Sequence, residues 1–248
     1  MRCFGLRWIA YRLNHAVKRK TGWVAHRNPI TSWDEAGSAL LKAAVFSPER
    51  LTERLISEPR FFVNPDFASS NAAALAEFDE GESPAVDAAR KIRCGTFSLF
   101  HAHEVEVGLP PRWHENPFTK EPTPRGLHWS RIGDFNHGDI KCVWDLSRFQ
   151  LAFTLARAYA RTGDEQWPEL FWLLVEDWRD CNPPHQGANW KCGQEIALRS
   201  MAWTFGLFAM ARSSHTTPQR VAMLAQMLAV SAERIMGTLD YALSQRNN

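Results

Sequence analysis

Apolar residues recur every three or four positions through the second half of the chain, which is the period of an amphipathic α-helix. Four segments carry this pattern, and they span residues 143–162, 165–179, 193–211 and 217–244. The connections between them are short, so we expect consecutive helices to run antiparallel to each other. The pattern therefore predicts a stack of helical hairpins.

The first half of the chain has a different pattern, because frequent Pro and Gly residues interrupt it. Such a composition is typical of loops that connect short elements. A short helix is predicted over residues 47–57, since Ser47 suits the N-cap position and Pro48 suits the first helical turn. Residues 93–100 and 127–132 are predicted strands, which we expect to pair as a small β-hairpin.

The N-terminal segment is basic and places Leu6, Ile9, Leu13 and Val17 at helical spacing. We expect this helix to dock on the rest of the domain; the alternative is a basic amphipathic helix that touches an anionic membrane. The segment lacks the uninterrupted apolar stretch of a secretory signal, and no apolar run in the sequence is long enough to span a membrane. A cytoplasmic location is the default expectation, with periplasmic and membrane-peripheral locations as alternatives.

Charge and cysteine content argue against several classes of function. The 248 residues contain 29 Lys and Arg against 27 Asp and Glu, which gives a formal net charge of +2. A chain so close to neutrality lacks the overall basic character of a nucleic-acid-binding protein, so no nucleic-acid partner is expected. The five cysteines show no CxxC spacing, which argues against a disulfide framework or a zinc knuckle. We expect no metal and no cofactor, and the sequence leaves the oligomeric state open.

Charged residues interrupt the helical pattern near its start. Lys141, Asp145 and Arg148 are separated by four and three positions, which places them on one face of a helix with Trp144 beside them. A guanidinium group can bind a carboxylate or sulfate through two hydrogen bonds, and an indole ring can cover the apolar face of a sugar. An ordinary solvated helix face is the alternative interpretation.

A second polar cluster begins at Asn189 and Trp190 and continues with Glu195 and Arg199, which are four positions apart. Together with the first cluster it predicts a groove that binds an acidic saccharide. Alternatively, Glu195 and Arg199 form only a helix salt bridge, worth about 0.3 kcal/mol. Four other tryptophans are expected in the core, namely Trp167, Trp172, Trp178 and Trp203.

Two long stretches resemble the N-terminal helical domain of the heparinase II/III-like polysaccharide lyase superfamily. Their sequences are GDIKCVWDLSRFQLAFTLARAYARTGDEQW and DWRDCNPPHQGANWKCGQEIALRSMAW. The match is continuous over residues 138–208 and weaker over residues 61–127. It implies a mainly α fold, an incomplete α/α toroid of antiparallel helical hairpins with a loop-rich N-terminal region and a short β-hairpin. Residues 138–248 would form the toroid hairpins, and residues 1–137 would pack on them within one continuous domain.

The same resemblance implies cleavage of a uronic-acid polysaccharide, such as heparan sulfate or alginate, by β-elimination. The last two residues resemble the start of the family's Asn-Asn-His motif, so Asn248 is implied as the residue that neutralises the substrate carboxylate. Because the family's histidine, catalytic tyrosine and β-sandwich find no counterpart in this sequence, we expect the 248-residue chain alone to be inactive. The residues implied to bind the saccharide are Lys141, Trp144, Arg148, Asn189, Trp190, Glu195, Arg199 and Asn247.

Two other functions are compatible with these residues. An α/α-toroid glycoside hydrolase would need two carboxylates about 5 to 9.5 Å apart, and Asp145 and Glu195 are the candidates. A non-catalytic domain that binds saccharide or serves as a scaffold is the second alternative. For the lyase, we expect Glu195 to orient Arg199 rather than to act as an acid.

Overall fold

The computed structural model of the chain describes residues 6–40, 47–58, 61–78 and 83–245. Most of these residues are helical, and the one sheet they contain has two strands. The predicted mainly α fold is thereby confirmed. Asn247 and Asn248 lie outside the described residues.

Among the described residues, six α-helices precede the sheet and six follow it. The first six are α1 (Leu6–Lys20), α2 (Trp23–Arg27), α3 (Trp33–Leu40), α4 (Pro48–Ser57), α5 (Phe67–Phe78) and α6 (Pro84–Arg93). The last six are α7 (Ile140–Leu146), α8 (Leu151–Thr162), α9 (Gln166–Cys181), α10 (Gly193–Ala209), α11 (Pro218–Met236) and α12 (Leu239–Gln245). Helix α8 lies at the centre of the stack, where it packs against α5, α6, α9 and α10.

The predicted start of α4 is confirmed in detail. The Ser47 side chain accepts a hydrogen bond from the amide of Arg50 at 3.1 Å, and Pro48 occupies the first helical position. This bond satisfies one of the amides that a helix N-terminus leaves without an internal partner. The local sequence therefore determines where this helix begins.

The helix predicted over residues 143–162 is wrong as a single element. Helix α7 ends at Leu146 and α8 begins at Leu151. Between them Phe149 has a φ of 59°, which a continuous right-handed helix cannot contain. Its ring is fully buried and stacks on Trp113, with centroids 5.4 Å apart. Tertiary packing of this side chain therefore overrides the helical period. The segment predicted over residues 217–244 is likewise divided, into α11 and α12.

The predicted pairing of two distant strands is also wrong. Strand β1 (Thr96–Leu99) pairs antiparallel with β2 (His103–Glu106), which follows it directly, and Leu99 lies opposite His103. Residues 127–129 instead form hydrogen bonds with the loop after α9, where the Trp129 amide donates to the carbonyl of His185 at 3.1 Å. The strand predicted over residues 127–132 is therefore wrong as well, because only His128 forms a β-bridge, to Gln186 of this loop, and residues 129–131 form a 3-10 turn.

Tryptophan side chains fill the centre of the domain. The four tryptophans expected in the core are all buried, at 2% exposure or less. Rings of Trp178 and Trp203 meet edge to face with centroids 4.9 Å apart, an arrangement that aromatic pairs favour. Trp190 joins the same cluster through Trp178 and through Trp33 of α3. The helical half and the N-terminal helices therefore share one core.

We expect Gly206→Ala to destabilise the protein even though alanine is the better helix former by about 1 kcal/mol. A Cβ at Gly206 of α10 would lie 2.6 Å from Cε2 of Phe171, a fully buried ring of α9. Forced displacement of that ring should lower the free energy of unfolding by about 1 to 3 kcal/mol. Urea denaturation measures the change. In a Phe171→Leu background the same substitution should be less harmful, and a stabilising Gly206→Ala in the native background would contradict this packing.

Candidate functional site

The loop that joins α9 to α10 is mostly buried rather than spread over the surface. His185 and Gly187 have φ values of 64° and 86°, so the chain turns twice through the left-handed region. A Cβ at Gly187 would lie 2.7 Å from Cε1 of His114, which means that space as well as backbone conformation requires glycine. The polar groups of this loop must therefore find partners inside the protein.

Two buried arginines bind the carbonyl groups at the end of this loop. Arg199 of α10 donates to the carbonyl of Asn189 at 3.2 Å, and its other terminal nitrogen donates to that of Ser147 at 3.4 Å. Arg234 of α11 donates to the carbonyls of Trp190 at 3.2 Å and Lys191 at 2.9 Å. Three successive carbonyls therefore accept hydrogen bonds from guanidinium groups.

Aromatic rings cover both guanidinium groups. The Arg199 guanidinium lies 4.2 Å from the ring centroid of Trp178, and that of Arg234 lies 3.9 Å from the centroid of Trp129. Burial lowers the pKa of Arg199 to about 9, although the Glu195 charge acts in the opposite direction. Burial likewise lowers the pKa of Arg234 to about 10. Both groups stay charged at neutral pH, and the ring faces favour that charge.

A second network of charges lies closer to the surface and is centred on Arg148. Its Nε and one terminal nitrogen donate to the two carboxylate oxygens of Glu195 at 2.5 and 2.8 Å. Its other terminal nitrogen donates to Asp145 at 2.6 Å. The side chains of Asp145 and Glu195 are 1% and 9% exposed, whereas that of Arg148 is 23% exposed. The carboxylates therefore anchor a guanidinium that reaches solvent.

The turn of the β-hairpin is attached to the same network. Phe100 and His101 have φ values of 53° and 57°, and the amide of Ala102 donates to the carbonyl of Leu99 at 3.1 Å to close the turn. The amide of Phe100 donates to the second oxygen of Asp145 at 2.7 Å. Two consecutive left-handed residues without glycine are unfavourable, and this charged hydrogen bond helps to hold them.

The structure separates the predicted saccharide-binding residues by depth. Lys141 is exposed and pairs with no acidic residue among those described, and Arg148 is partly exposed. Trp144 is half-buried, and its indole N–H donates to the carbonyl of Ala188 at 2.9 Å. Three predicted residues are enclosed in the core, at 1% exposure or less: Asn189, Trp190 and Arg199. Asn248 and Asn247 lie outside the described residues.

Glu195 has a different partner from the one its spacing favours. Its carboxylate binds Arg148 rather than Arg199, although the latter lies one helical turn away. Arg199 points into the core toward backbone carbonyls, because α10 presents these two positions to different surroundings. The expectation that Glu195 orients Arg199 is therefore wrong. Glu195 forms an ion pair with Arg148 instead.

This geometry does not favour the glycoside hydrolase alternative. A hydrolase needs one carboxylic acid that donates a proton and one carboxylate that activates water or attacks the sugar. Asp145 and Glu195 both accept hydrogen bonds from Arg148 and are nearly enclosed. Neither group presents a free oxygen to a sugar ring in this arrangement.

Two parts of the site escaped the sequence analysis. Arg234 lies on the buried face of α11, at helical spacing from Leu224, Met227 and Ser231. A charged residue at that spacing could have been recognised in the sequence as a buried functional or structural group. The hairpin turn gave only a weak signal, since His101 is compatible with left-handed backbone but Phe100 seldom adopts it. Both parts depend on contacts between distant segments.

Three buried histidines, His185 in the loop after α9 and two beside it, are in their neutral form. Burial lowers the pKa of His114, and lowers that of His185 to about 3 and that of His128 to about 4. The Nε2 atoms of His114 and His128 lie 2.8 and 2.9 Å from the carbonyls of Cys181 and Asn28, as expected for donors. In the part of the chain that the structure describes, no three His, Cys, Asp or Glu side chains are grouped to hold a metal ion.

The fold is similar to that of a polysaccharide-degrading enzyme. No protein-family model and no curated protein sequence matches the chain. A crystal structure of a mutant of the heparan sulfate lyase HepC from Pedobacter heparinus superposes with a TM-score of 0.52 and 16% identity, and the match covers 88% of this chain. The chain spans 29% of the length of that lyase. A likeness at this identity establishes a shared helical fold.

We expect Asp145→Asn to loosen the hairpin turn. An amide keeps one acceptor oxygen, so either the Phe100 amide or Arg148 loses its partner. The lost charged hydrogen bond should reduce the free energy of unfolding by about 1.5 to 3 kcal/mol. Hydrogen exchange of the Phe100 amide should accelerate as well. Asp139→Asn is the matched control, because Asp139 caps the same helix and asparagine caps equally well. Unchanged exchange at Phe100 would contradict the proposed role of Asp145.

We expect acid to destabilise the domain partly through His185. Between its ordinary pKa of 6.5 and its folded pKa of about 3, the unfolded chain binds a proton that the folded chain does not. The free energy of unfolding should therefore fall as the pH falls through this window, by about 1.4 kcal/mol per pH unit for this group. His185→Asn, which suits the positive φ, should give a shallower slope in urea denaturation between about pH 6 and about pH 4. Equal slopes for the two proteins would refute this assignment.

Proposed function

We propose that this chain is the saccharide-binding helical domain of a lyase that cleaves uronic-acid polysaccharides by β-elimination. The similarity in fold to a heparan sulfate lyase, over 88% of the chain, is the observation that carries the proposal. The resemblance of residues 138–208 to the heparinase II/III-like lyases supports it from the sequence. A polysaccharide that bears carboxylate or sulfate groups, such as heparan sulfate, is the proposed substrate class.

The surface around α7 provides the proposed contacts with the polysaccharide. Lys141 offers an exposed ammonium group, and Arg148 offers the N–H groups that its two carboxylate partners leave free. Because Glu195 and Asp145 hold the guanidinium in place, it loses little conformational freedom when an anion binds. The half-buried ring of Trp144 lies beside them and can contact the apolar face of a sugar.

The enclosed members of the predicted set act from beneath this surface. Asn189 donates to the carbonyl of Trp113 at 3.0 Å and to the side chain of Asn182 at 2.9 Å. Trp190 and Arg199 hold the loop after α9 against α10. In this proposal these residues position the binding surface, and they do not touch the saccharide.

The elimination requires groups that act on the proton at C5, which is α to the substrate carboxylate. The charge that develops on that carboxylate must be stabilised, and the family resemblance gives this role to Asn248 with Asn247 beside it. A base must accept the proton. Tyr159 does not suit this role, because its hydroxyl donates to Glu165 at 2.8 Å and burial raises its pKa to about 12. Tyr159 therefore belongs to the core.

We expect the chain to bind a heparan sulfate oligosaccharide but not dextran, as measured by titration calorimetry. Lys141→Ala should weaken this binding about tenfold, which corresponds to about 1.4 kcal/mol. Arg148→Lys should weaken it as well, because lysine keeps the charge but loses the planar fork of donors. Arg157→Ala is the control, since Arg157 is another exposed basic residue, on α8. Equal affinity for dextran, or a Lys141→Ala chain that binds as well as the native one, would refute the proposed surface.

The products of polysaccharide digestion distinguish the reaction classes. Elimination leaves an unsaturated uronate that absorbs ultraviolet light, whereas hydrolysis yields new reducing ends without that absorbance. Reducing ends alone, from any protein that contains this domain, would favour the hydrolase alternative over the lyase.

A further inference from the structure

Helix α1 docks on the domain by one face and leaves an aliphatic face in solvent. Ile9, Leu13 and Val17 lie four residues apart and are 43%, 62% and 57% exposed. The opposite side of the helix carries Tyr11 and His15, which are half-buried. An amphipathic helix normally buries its aliphatic stripe, so α1 has the reverse orientation. We define Ile9, Leu13 and Val17 as the outer stripe.

Contacts from the inner side hold this orientation. The ring of His15 stacks on that of Tyr241 in α12, with centroids 4.2 Å apart. Arg19, two residues after Val17, donates from a terminal nitrogen to the carbonyl of Ser130 at 3.0 Å. Helices α1 and α12 also pack along their lengths. The outer stripe is therefore exposed because α1 is fixed by its other face.

The charge of α1 has a single sign. The helix contains five Lys or Arg residues and no Asp or Glu. Arg12 and Lys20 are exposed and border the outer stripe on the helix surface. Aliphatic and basic side chains therefore share one surface of α1.

This combination fits the surface of an anionic lipid bilayer. Aliphatic side chains can enter the region between headgroups and acyl chains, and basic residues attract anionic headgroups. A protein partner would have to cover Arg12 and Lys20 beside the outer stripe, whereas in a bilayer these long side chains extend to the phosphates. No helix among the described residues is long and apolar enough to cross a membrane. We infer that the protein attaches to the surface of an anionic membrane through the outer stripe of α1.

Vesicle sedimentation tests this inference with the whole chain. The protein should bind vesicles of phosphatidylcholine and phosphatidylglycerol, and should bind vesicles of phosphatidylcholine alone at least about tenfold more weakly. The double variant Leu13→Glu/Val17→Glu should lose at least about tenfold in partition into the anionic vesicles, since it removes apolar area and adds repulsion. Arg12→Glu/Lys20→Glu should lose a similar amount and should also lose the sensitivity to ionic strength.

Controls separate this proposal from misfolding and from the proposed function. Met201→Glu changes another apolar residue, 57% exposed on α10, and should bind vesicles as the native chain does. All variants should keep the native circular dichroism spectrum and the native affinity for heparan sulfate oligosaccharide. Equal binding to neutral and anionic vesicles, or no binding to either, would overturn the inference. A native dimer that Leu13→Glu/Val17→Glu converts to a monomer would overturn it too, because the outer stripe would then bind a second copy.

Discussion

Two buried arginines that donate to backbone carbonyls hold the domain together at its least regular point. The loop after α9 enters the core with only one 3-10 turn, Ala188–Trp190, so the carbonyl groups at its end need donors from outside the loop. Arg199 and Arg234 supply the missing donors from two different helices, and Trp178 and Trp129 cover their charged faces. The planar guanidinium, which has several donors, can bind two carbonyls while it lies over a ring. The loop, α10, α11 and the end of α7 meet at these contacts.

Helix α10 connects the buried arginine contacts to the surface, because it carries both Arg199 and Glu195. Arg199 points from it into the core, and Glu195, one turn earlier, points toward Arg148. The position of the partly exposed guanidinium is therefore fixed by a helix that is itself fixed by the buried loop. The hairpin turn adds a second support through Asp145, which contacts both Phe100 and Arg148. A binding surface with such rigid supports needs little rearrangement when it meets an anion.

The sequence predicted what depends on local periodicity and missed what depends on distant contacts. The helices of the second half and the N-cap Ser47 follow from residues that lie within a few positions of each other. The break at Phe149 does not, because its cause is a stack on Trp113 from another part of the chain. Within the candidate site, the sequence identified the charged residues around positions 141 and 195, but it did not show which of them are buried. Spacing along a helix shows that Glu195 and Arg199 share a face and cannot show which one turns toward the core.

The buried arginines also have an effect beyond their hydrogen bonds. Each places a full positive charge in a medium of low polarisability, where few mobile ions can approach to screen it. Among the described residues neither group forms an ion pair, and the Glu195 charge acts on Arg199 only through space. The buried part of this domain therefore contributes fixed positive charge to the protein's field, which the nearby carboxylates of Asp145 and Glu195 partly offset.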